Sequence, residues 1–534
     1  MAKTPASFDY IIVGGGSAGC VLAHRLSADP AVQVLLIEAG PPPTSPYIGI
    51  PMGLGKVLSD PRMMWYYPSE PEPGTGNAPR IWLRGKVLGG SSAVNGMVYC
   101  RGEAQDYDDW AANGATGWGW DTMLAAFRAI EDHELGASDE RGSGGPLPIS
   151  IQTHRSELTD ALLKGCAALG TPIKRDLNEA PLEGVGYSPA TIRHGRRMSS
   201  YEAFVRPIRN RPNLTIVTDA LVTRILVEER VARGVFGLHR GREVQWHAHG
   251  EVIIAAGTVG SPRLLQLSGI GPAAHLGGLG IAIVHDSPGV GANLSEHKAI
   301  WMEYRLRRDL SLNSQLQGWR LIANGLRYLA TRSGPLGSTV NINGFIRTRP
   351  ALARPDAQIS FWALTARKGI DQFLPESFPA VRAGGWPLRP ESRGSIMIRS
   401  ADPQDTPVIR PNFLATQEDR RILVDLFRYL RSVFRQPDLA GLIDEETLPG
   451  LAIESDEDIL ASSYTGENGY HATGTCRMGN DATAVVDPRL RVNGVSGLRI
   501  VDASVMPTQV SAGVNGPVMA LAWHAGGLIL ADRR

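Results

Sequence analysis

The chain has 534 residues, more than one compact core usually holds, so two domains or an elaborated pair are expected. Apolar residues make up 43% and charged residues 20%, and 54 Lys+Arg against 53 Asp+Glu leave a net charge of +1, a globular composition with no basic excess for nucleic acid or an anionic membrane. Cys20, Cys100, Cys166 and Cys476 are widely spaced and form no CxxC pair, which argues against a disulfide framework or structural zinc and fits free thiols in a reducing cytoplasm.

The polar start, Met1 to Asp9, is not a signal peptide of ordinary form, no apolar run reaches the length of a membrane span, and the tail Asp532-Arg533-Arg534 is too short to count. Phe8-Asp9-Tyr10-Ile11-Ile12-Val13 predicts a buried parallel strand. Gly14 to Gly19 turns it into a helix with Ala18, Val21, Leu22 and Leu26 on one apolar face. Ala31 to Ile37 predicts a second strand ending on Glu38, which completes a βαβ unit. A Pro- and Gly-rich loop runs from Gly40 to about Gly76, long enough to be functional or packed against a partner segment. Gly136 to Gly145 reads as a linker or exposed loop, and Val252 to Ala256 as another buried strand running into Gly257.

Between about 300 and 450 the chain is enriched in aromatics: Trp301, Tyr304, Trp319, Tyr328, Phe345, Phe361, Trp362, Phe373, Phe378 and Trp386. This stretch predicts most of a second domain, a sheet with flanking helices. Leu498 to Val501 predicts a late strand and Gly516 to Leu530 a final helix, so elements of the first domain stand at both ends of the chain.

Gly14-x-Gly16-x-x-Gly19 between a strand and a helix, with Glu38 closing the second strand, is a dinucleotide-binding fingerprint in its proper context. Gly14 permits the tight turn, Gly16 lets the backbone approach a pyrophosphate at the helix N-terminus, and Gly19 lets helix and strand pack closely. Glu38 suits ribose hydroxyls and speaks against a 2′-phosphate; the pattern alone leaves FAD and NAD both open. The stretch Gly85-Lys86-Val87-Leu88-Gly89-Gly90-Ser91-Ser92-Ala93-Val94-Asn95 offers many N–H groups and side-chain donors, as the polar edge of an isoalloxazine requires. His471-Ala472-Thr473-Gly474-Thr475-Cys476-Arg477-Met478-Gly479, with Asn515-Gly516-Pro517, supplies the His and Asn that a flavin-edge site needs.

With these motifs the chain resembles the glucose-methanol-choline (GMC) oxidoreductases over nearly its whole length. The first family signature runs from Gly85 to Asp108, and the second from Gly257 to Gly271. Val290 to His297 is similar to the family's V-G-x-N-L-x-x-H, and Leu388 to Gly394 with Ser400 to Pro403 to its substrate-domain hairpin. The resemblance implies an α/β fold, α+β overall: a Rossmann-like FAD-binding domain from residues 5–155, 195–300 and 455–534, and a sheet-plus-helices substrate domain from 156–194 and 301–454.

It also implies FAD as cofactor, an alcohol substrate, and oxygen or another electron acceptor. Ser17 and Ala18 would meet the pyrophosphate, and Glu38 and Ala39 the adenosine, with Val222 against the adenine through its backbone. Trp65 would lie near the cofactor; Gly90, Ser91, Asn95 and Val98 would line the flavin; Tyr470 would border the ring; Asp502, Ala503, Asn515 and Pro517 would close the site. Val94 stands where some members link flavin to a histidine, so FAD is expected to be non-covalent.

His471 is the expected general base, near its ordinary pKa, and Asn515 the residue that holds the substrate oxygen. The helix begun at Pro517 would turn its positive end to the flavin. His297 is given a structural role, His524 a packing role in the last helix, and His24, His133 and His239 surface or local roles. No HxxxH or carboxylate cluster suggests a metal. The rival functions are a flavin-containing hydroxynitrile lyase without net redox, a non-enzymatic nucleotide-binding module and a pyridine-nucleotide dehydrogenase.

Overall fold

The computed structural model describes residues 7–152, 155–339, 342–367 and 374–533; the expectations that touch residues 1–6, Phe373 and Arg534 lie outside the described residues. Strand β1 (Phe8–Val13) is apolar on both faces, as a central parallel strand must be. It feeds helix α1 (Ser17–Leu26) through the Gly14–Gly16 turn. Strand β2 (Val34–Ile37) begins later than Ala31, because Asp29 accepts the Ala31 and Val32 N–H groups and commits those residues to a turn.

Strand β3 (Leu214–Val217) pairs outside β2. A meander of β4 (Ala220–Glu228), β5 (Val231–His239) and β6 (Arg242–Ile254) follows. Only the last residues of β6 were legible in the sequence. Its first half is antiparallel and half exposed, whereas Val252–Ile254 lies buried and parallel beside β1. The sheet order is β3-β2-β1-β6-β5-β4. Helix α2 (Gly257–Leu267) leaves β6 after two residues.

A second sheet of six strands runs in the order Ile443–Leu448, Ile300–Leu306, Ala380–Pro387, Ala357–Trp362, Ile342–Ile346, Gly184–Tyr187, antiparallel throughout. Helix Gln417–Phe434 covers it with a buried stripe that includes Leu423, Leu426, Phe427 and Leu430. Helix α3 (Gly318–Thr331) stands on the outside of this half. The chain then returns to the first sheet, where β7 (Leu498–Ile500) pairs with β6 and helix α4 (Asn515–Asp532) packs on α1. Two large apolar cores result, one about each sheet.

The Gly40–Gly76 loop is more structured than its composition implies. It carries short helices at Pro46–Gly49 and Leu54–Leu58, and a strand, Met64–Pro68, paired with Ile81–Gly85. No helix among the described residues is long and apolar enough to cross a membrane.

The glycines of the first turn are set by contact. Gly14 has φ 109°, and a Cβ on Gly19 would sit 1.9 Å from the Gly14 carbonyl oxygen. Gly19→Ala must therefore push α1 off β1. Overpacking of this kind costs about 1–3 kcal/mol, and thermal unfolding of the cofactor-free protein should show the loss as a lowered Tm.

Candidate active site

A cavity of about 550 Å³ lies beyond the carboxyl ends of β1, β2 and β6, the position where open α/β sheets bind ligands, and is roofed by the second sheet. It brings together Gly14, Gly16, Ser17, Ala18, Glu38, Ala39, Trp65, Gly90, Ser91, Asn95, Val98, Val222, Tyr470, His471, Asp502, Ala503 and Asn515. Gly19 and Pro517 stand behind its wall, Gly19 against Gly14 and Pro517 inside the first turn of α4.

At one end the buried Glu38 accepts the Gly15 N–H at 2.9 Å and the Gly40 N–H at 2.8 Å. Burial pushes its carboxyl up to about 7 against these bonds. In the middle, a Cβ on Gly90 would fall 2.6 Å from Gly16 Cα, so the two glycine turns meet backbone to backbone.

The second turn is gripped from behind by Arg197, which the sequence reading passed over. Arg197 Nη1 donates to the Ser92 and Asn95 carbonyls and to Asn95 Oδ1, and its Nε donates to Ile48 O. Trp65 stacks on Tyr67 with the Lys86 ammonium 4.3 Å over its ring. Asp502 lines the cavity, and its carboxylate is engaged by the Gly257 N–H, the Ser261 hydroxyl and the Ser504 N–H, tying the start of α2 to the chain after β7.

His471 is aimed by its neighbours. Tyr470 adopts φ 60°, a left-handed conformation that is costly for a tyrosine and turns the chain into the cavity. The His471 N–H donates to Glu296 Oε1 at 2.7 Å, and Gln509 Nε2 donates to the His471 carbonyl at 2.9 Å. Its Nδ1 lies 2.9 Å from His297 Nδ1, and His297 Nε2 lies 3.0 Å from the Leu388 carbonyl.

A carbonyl only accepts, so His297 carries its proton on Nε2 and offers a lone pair at Nδ1. His471 must then donate from Nδ1, which leaves its Nε2 as a lone pair. That nitrogen faces the turn before α4: a Cβ on Gly513 would sit 3.1 Å from it.

Burial lowers His297 to about 4. Burial, with help from His297 and Arg84, holds His471 well below the ordinary imidazole value. This departs from the near-ordinary pKa expected from sequence, because the ring is packed against His297 and Trp386 and loses its solvation there. Asn515 Oδ1 accepts the Ser17 hydroxyl at 2.8 Å, so its NH2 is left to donate.

His297 was read from sequence as structural; its partner lies 174 residues away, beyond the reach of a single sequence. Glu296 beside it was missed. It accepts the N–H groups of both His297 and His471, and burial raises it to about 7 in spite of Arg84 at 3.6 Å. His133 is buried, 3.6 Å from Asp176, with its Nδ1 accepting the nearby Leu135 N–H, a local rather than a surface role, and His524 packs edge-on to Trp118 as expected of a helix residue. The roof offers Gln358, Ser360 and Trp362 on one strand and Arg382 and Trp386 on the next, at the alternate positions of one sheet face. Gln358 Oε1 and the indole nitrogens of Trp301 and Trp386 are buried without a hydrogen-bond partner, and the Arg382 guanidinium covers the Trp301 ring at 4.2 Å.

These residues fit FAD. The glycine cradle admits a diphosphate, and α1 and α4 begin at the cavity with no side-chain cap on their free N–H groups. Fold and cavity define an FAD-dependent oxidoreductase acting on CH–OH donors.

Two family models, both described as GMC oxidoreductase, match residues 8–299 and 390–522, and the chain belongs to this family. It is 40% identical over 537 residues to mitochondrial choline dehydrogenase of Homo sapiens, covering 98% of this chain and 89% of that protein. It is 37% identical over 538 residues to alcohol dehydrogenase [acceptor] of Pseudomonas putida, covering 98% and 96%. Among solved structures it is similar to pyridoxine 4-oxidase from Mesorbium loti, with TM-score 0.88, 32% identity and coverage of 98% and 99%.

Histidine-selective 15N spectra should show His471 protonated on Nδ1 and His297 on Nε2, neither titrating above pH 6.5. A His471 that titrates at the ordinary imidazole value would contradict the burial account.

Proposed function

We propose that the protein oxidises a primary alcohol to the aldehyde, with His471 as general base and Asn515 as the donor that holds the substrate oxygen. The observation that carries this reading is the hydrogen-bond chain Leu388–His297–His471, which leaves an unprotonated Nε2 facing the cavity. Bound FAD supplies the hydride acceptor, at flavin N5.

Ser17 and Ala18 would hold its diphosphate, Glu38 and Ala39 its ribose, Val222 its adenine, and Gly90, Ser91, Asn95 and Val98 its ring, with Trp65, Tyr470, Asp502 and Ala503 around it. Gly19 and Pro517 support this set from behind. His471 takes the hydroxyl proton at Nε2, and His297 acts as a positioning residue that keeps that nitrogen free. The Asn515 NH2 steadies the developing alkoxide.

The name of the Pseudomonas relative supports an electron acceptor of the dehydrogenase type, and assays with oxygen and with an artificial acceptor in parallel decide between the two. The relatives do not favour a lyase. The four cysteines are free and buried, which supports a reducing, cytoplasmic compartment.

The choline dehydrogenases among the relatives make choline the first substrate to weigh. The Trp301 face that would greet a trimethylammonium is taken by Arg382, and the unpartnered indole and amide groups of the roof suit a neutral polar alcohol. In an alcohol panel, an aryl or furanic alcohol should show a higher kcat/KM than choline; the reverse ranking would overturn the substrate assignment.

Acid precipitation should release the flavin into the supernatant, because Val94 offers no atom for a covalent link. Glu38→Ala should weaken FAD binding far more than it slows flavin reduction in the molecules that retain FAD.

His471→Ala should slow flavin reduction by alcohol by about 10²–10⁴-fold with FAD still bound, and Asn515→Ala by less. The base works unprotonated, so the rate should rise with pH through the His471 pKa and be level by neutral pH. The acid limb should fall below pH 6.5, in line with the lowered pKa. Near-normal reduction in His471→Ala would overturn the assignment.

A further inference from the structure

Helix α3 carries an apolar face that nothing among the described residues covers. Trp319, Ile322, Leu326 and Leu329 are 74%, 67%, 64% and 67% exposed. Their spacing of i, i+3, i+7 and i+10 gathers them within about 80° of the helix circumference at 100° per residue. Scattered single exposures are ordinary; four large side chains on one stripe of a 14-residue helix are not.

The opposite side of the helix is fixed. Tyr328 is buried and its hydroxyl donates to Gly195 O at 2.9 Å, bolting α3 to the Arg196–Arg197 strand and, through Gly49 O at 3.4 Å, to the Pro46–Gly49 helix. The apolar stripe is thus held outward by the fold.

Its flank carries more cations than anions: the one ion pair of the helix among the described residues is Arg320 with Asp309. The helix contains no Asp or Glu. Arg327, Arg332 and the adjacent Arg196 are exposed, and none of them forms an ion pair among the described residues. An apolar stripe beside unneutralised guanidiniums complements one kind of surface, an acyl boundary beneath anionic headgroups. The segment to which Tyr328 is bolted continues into Pro51, Met52, Leu54 and Leu58, which line the large cavity, so a surface docked at α3 lies next to the cavity wall.

We propose that α3 docks the protein on anionic phospholipid membranes as a peripheral, in-plane amphipathic helix. Such a contact needs neither a spanning helix nor a basic excess over the whole chain. It does not depend on the identity of the alcohol or of the base.

The test is co-sedimentation of the purified holoenzyme with vesicles of phosphatidylcholine alone and of equimolar phosphatidylcholine and phosphatidylglycerol. The holoenzyme should pellet with the mixed vesicles and much less with phosphatidylcholine, and added salt should release it. Ile322→Glu/Leu326→Glu should lower the partition coefficient at least about tenfold, since two apolar contacts are replaced by charges that anionic headgroups repel. Arg327→Glu/Arg332→Glu should lower it several-fold on mixed vesicles alone. Both variants should keep wild-type alcohol oxidation with a soluble dye, which shows that they fold.

Failure of the holoenzyme to pellet, or pelleting that neither pair of substitutions alters, would overturn the proposal. So would sedimentation equilibrium showing a dimer that Ile322→Glu/Leu326→Glu converts to monomer, with no vesicle binding by the parent; the stripe would then be covered by a second copy.

Discussion

The carbonyl of Leu388 has no donor to offer, and that fact propagates through the site. It fixes the proton of His297 on Nε2, so His297 can only accept at Nδ1, so His471 must donate from Nδ1, and the cavity meets a bare Nε2. The chain crosses the molecule: Leu388 follows the strand Ala380–Pro387 of the second sheet, His297 precedes the strand Ile300–Leu306, and His471 belongs to the segment leading back to β7. The His471 imidazole therefore has a defined tautomer only when both sheets are in place. Glu296 adds a second fixing point by accepting the N–H groups of both histidines with one carboxylate oxygen.

Burial acts in opposite senses on the acids and the bases around the cavity. It raises Glu38 and Glu296 to about 7 and lowers His471 and His297. In each case the neutral form is favoured, and the fixed dipoles of the backbone N–H groups and the uncapped starts of α1 and α4 remain as the standing positive field. The cavity is thus lined by directional hydrogen-bonding groups whose charged forms burial disfavours, with Arg84 and Arg382 on its walls.

Much of this was legible in the sequence because it is local. The Gly14–Gly19 fingerprint, the Gly-Ser turn and the start of α4 are each contained in a few consecutive residues whose chemistry admits few other readings. The unread parts are those in which distant segments decide. The first half of β6 alternates in burial as a meander strand and carries no apolar run. Arg197 earns its place only because Asn95 lies 102 residues away in the chain and beside it in space. His297 was seen in its motif and given a structural role, since nothing local shows that its acceptor nitrogen meets His471. The strand at Ala31 was overextended because an Asx turn at Asp29 takes the first residues of an otherwise apolar run.

The bond between Ser17 and Asn515 joins residues 498 apart, one in the first turn of the first helix and the other opening the last. During synthesis the Gly14–Gly19 turn emerges long before Asn515, and the parallel flank of Val252–Ile254 stays unpaired until β7 arrives. The nascent chain therefore passes through a stage in which the first glycine turn is made and the far wall of the cavity, His471 and Asn515 included, is not. The cavity closes as one late event, when β7 joins the sheet and the Asn515 amide is set against Ser17; a chain cut short before these residues lacks that wall.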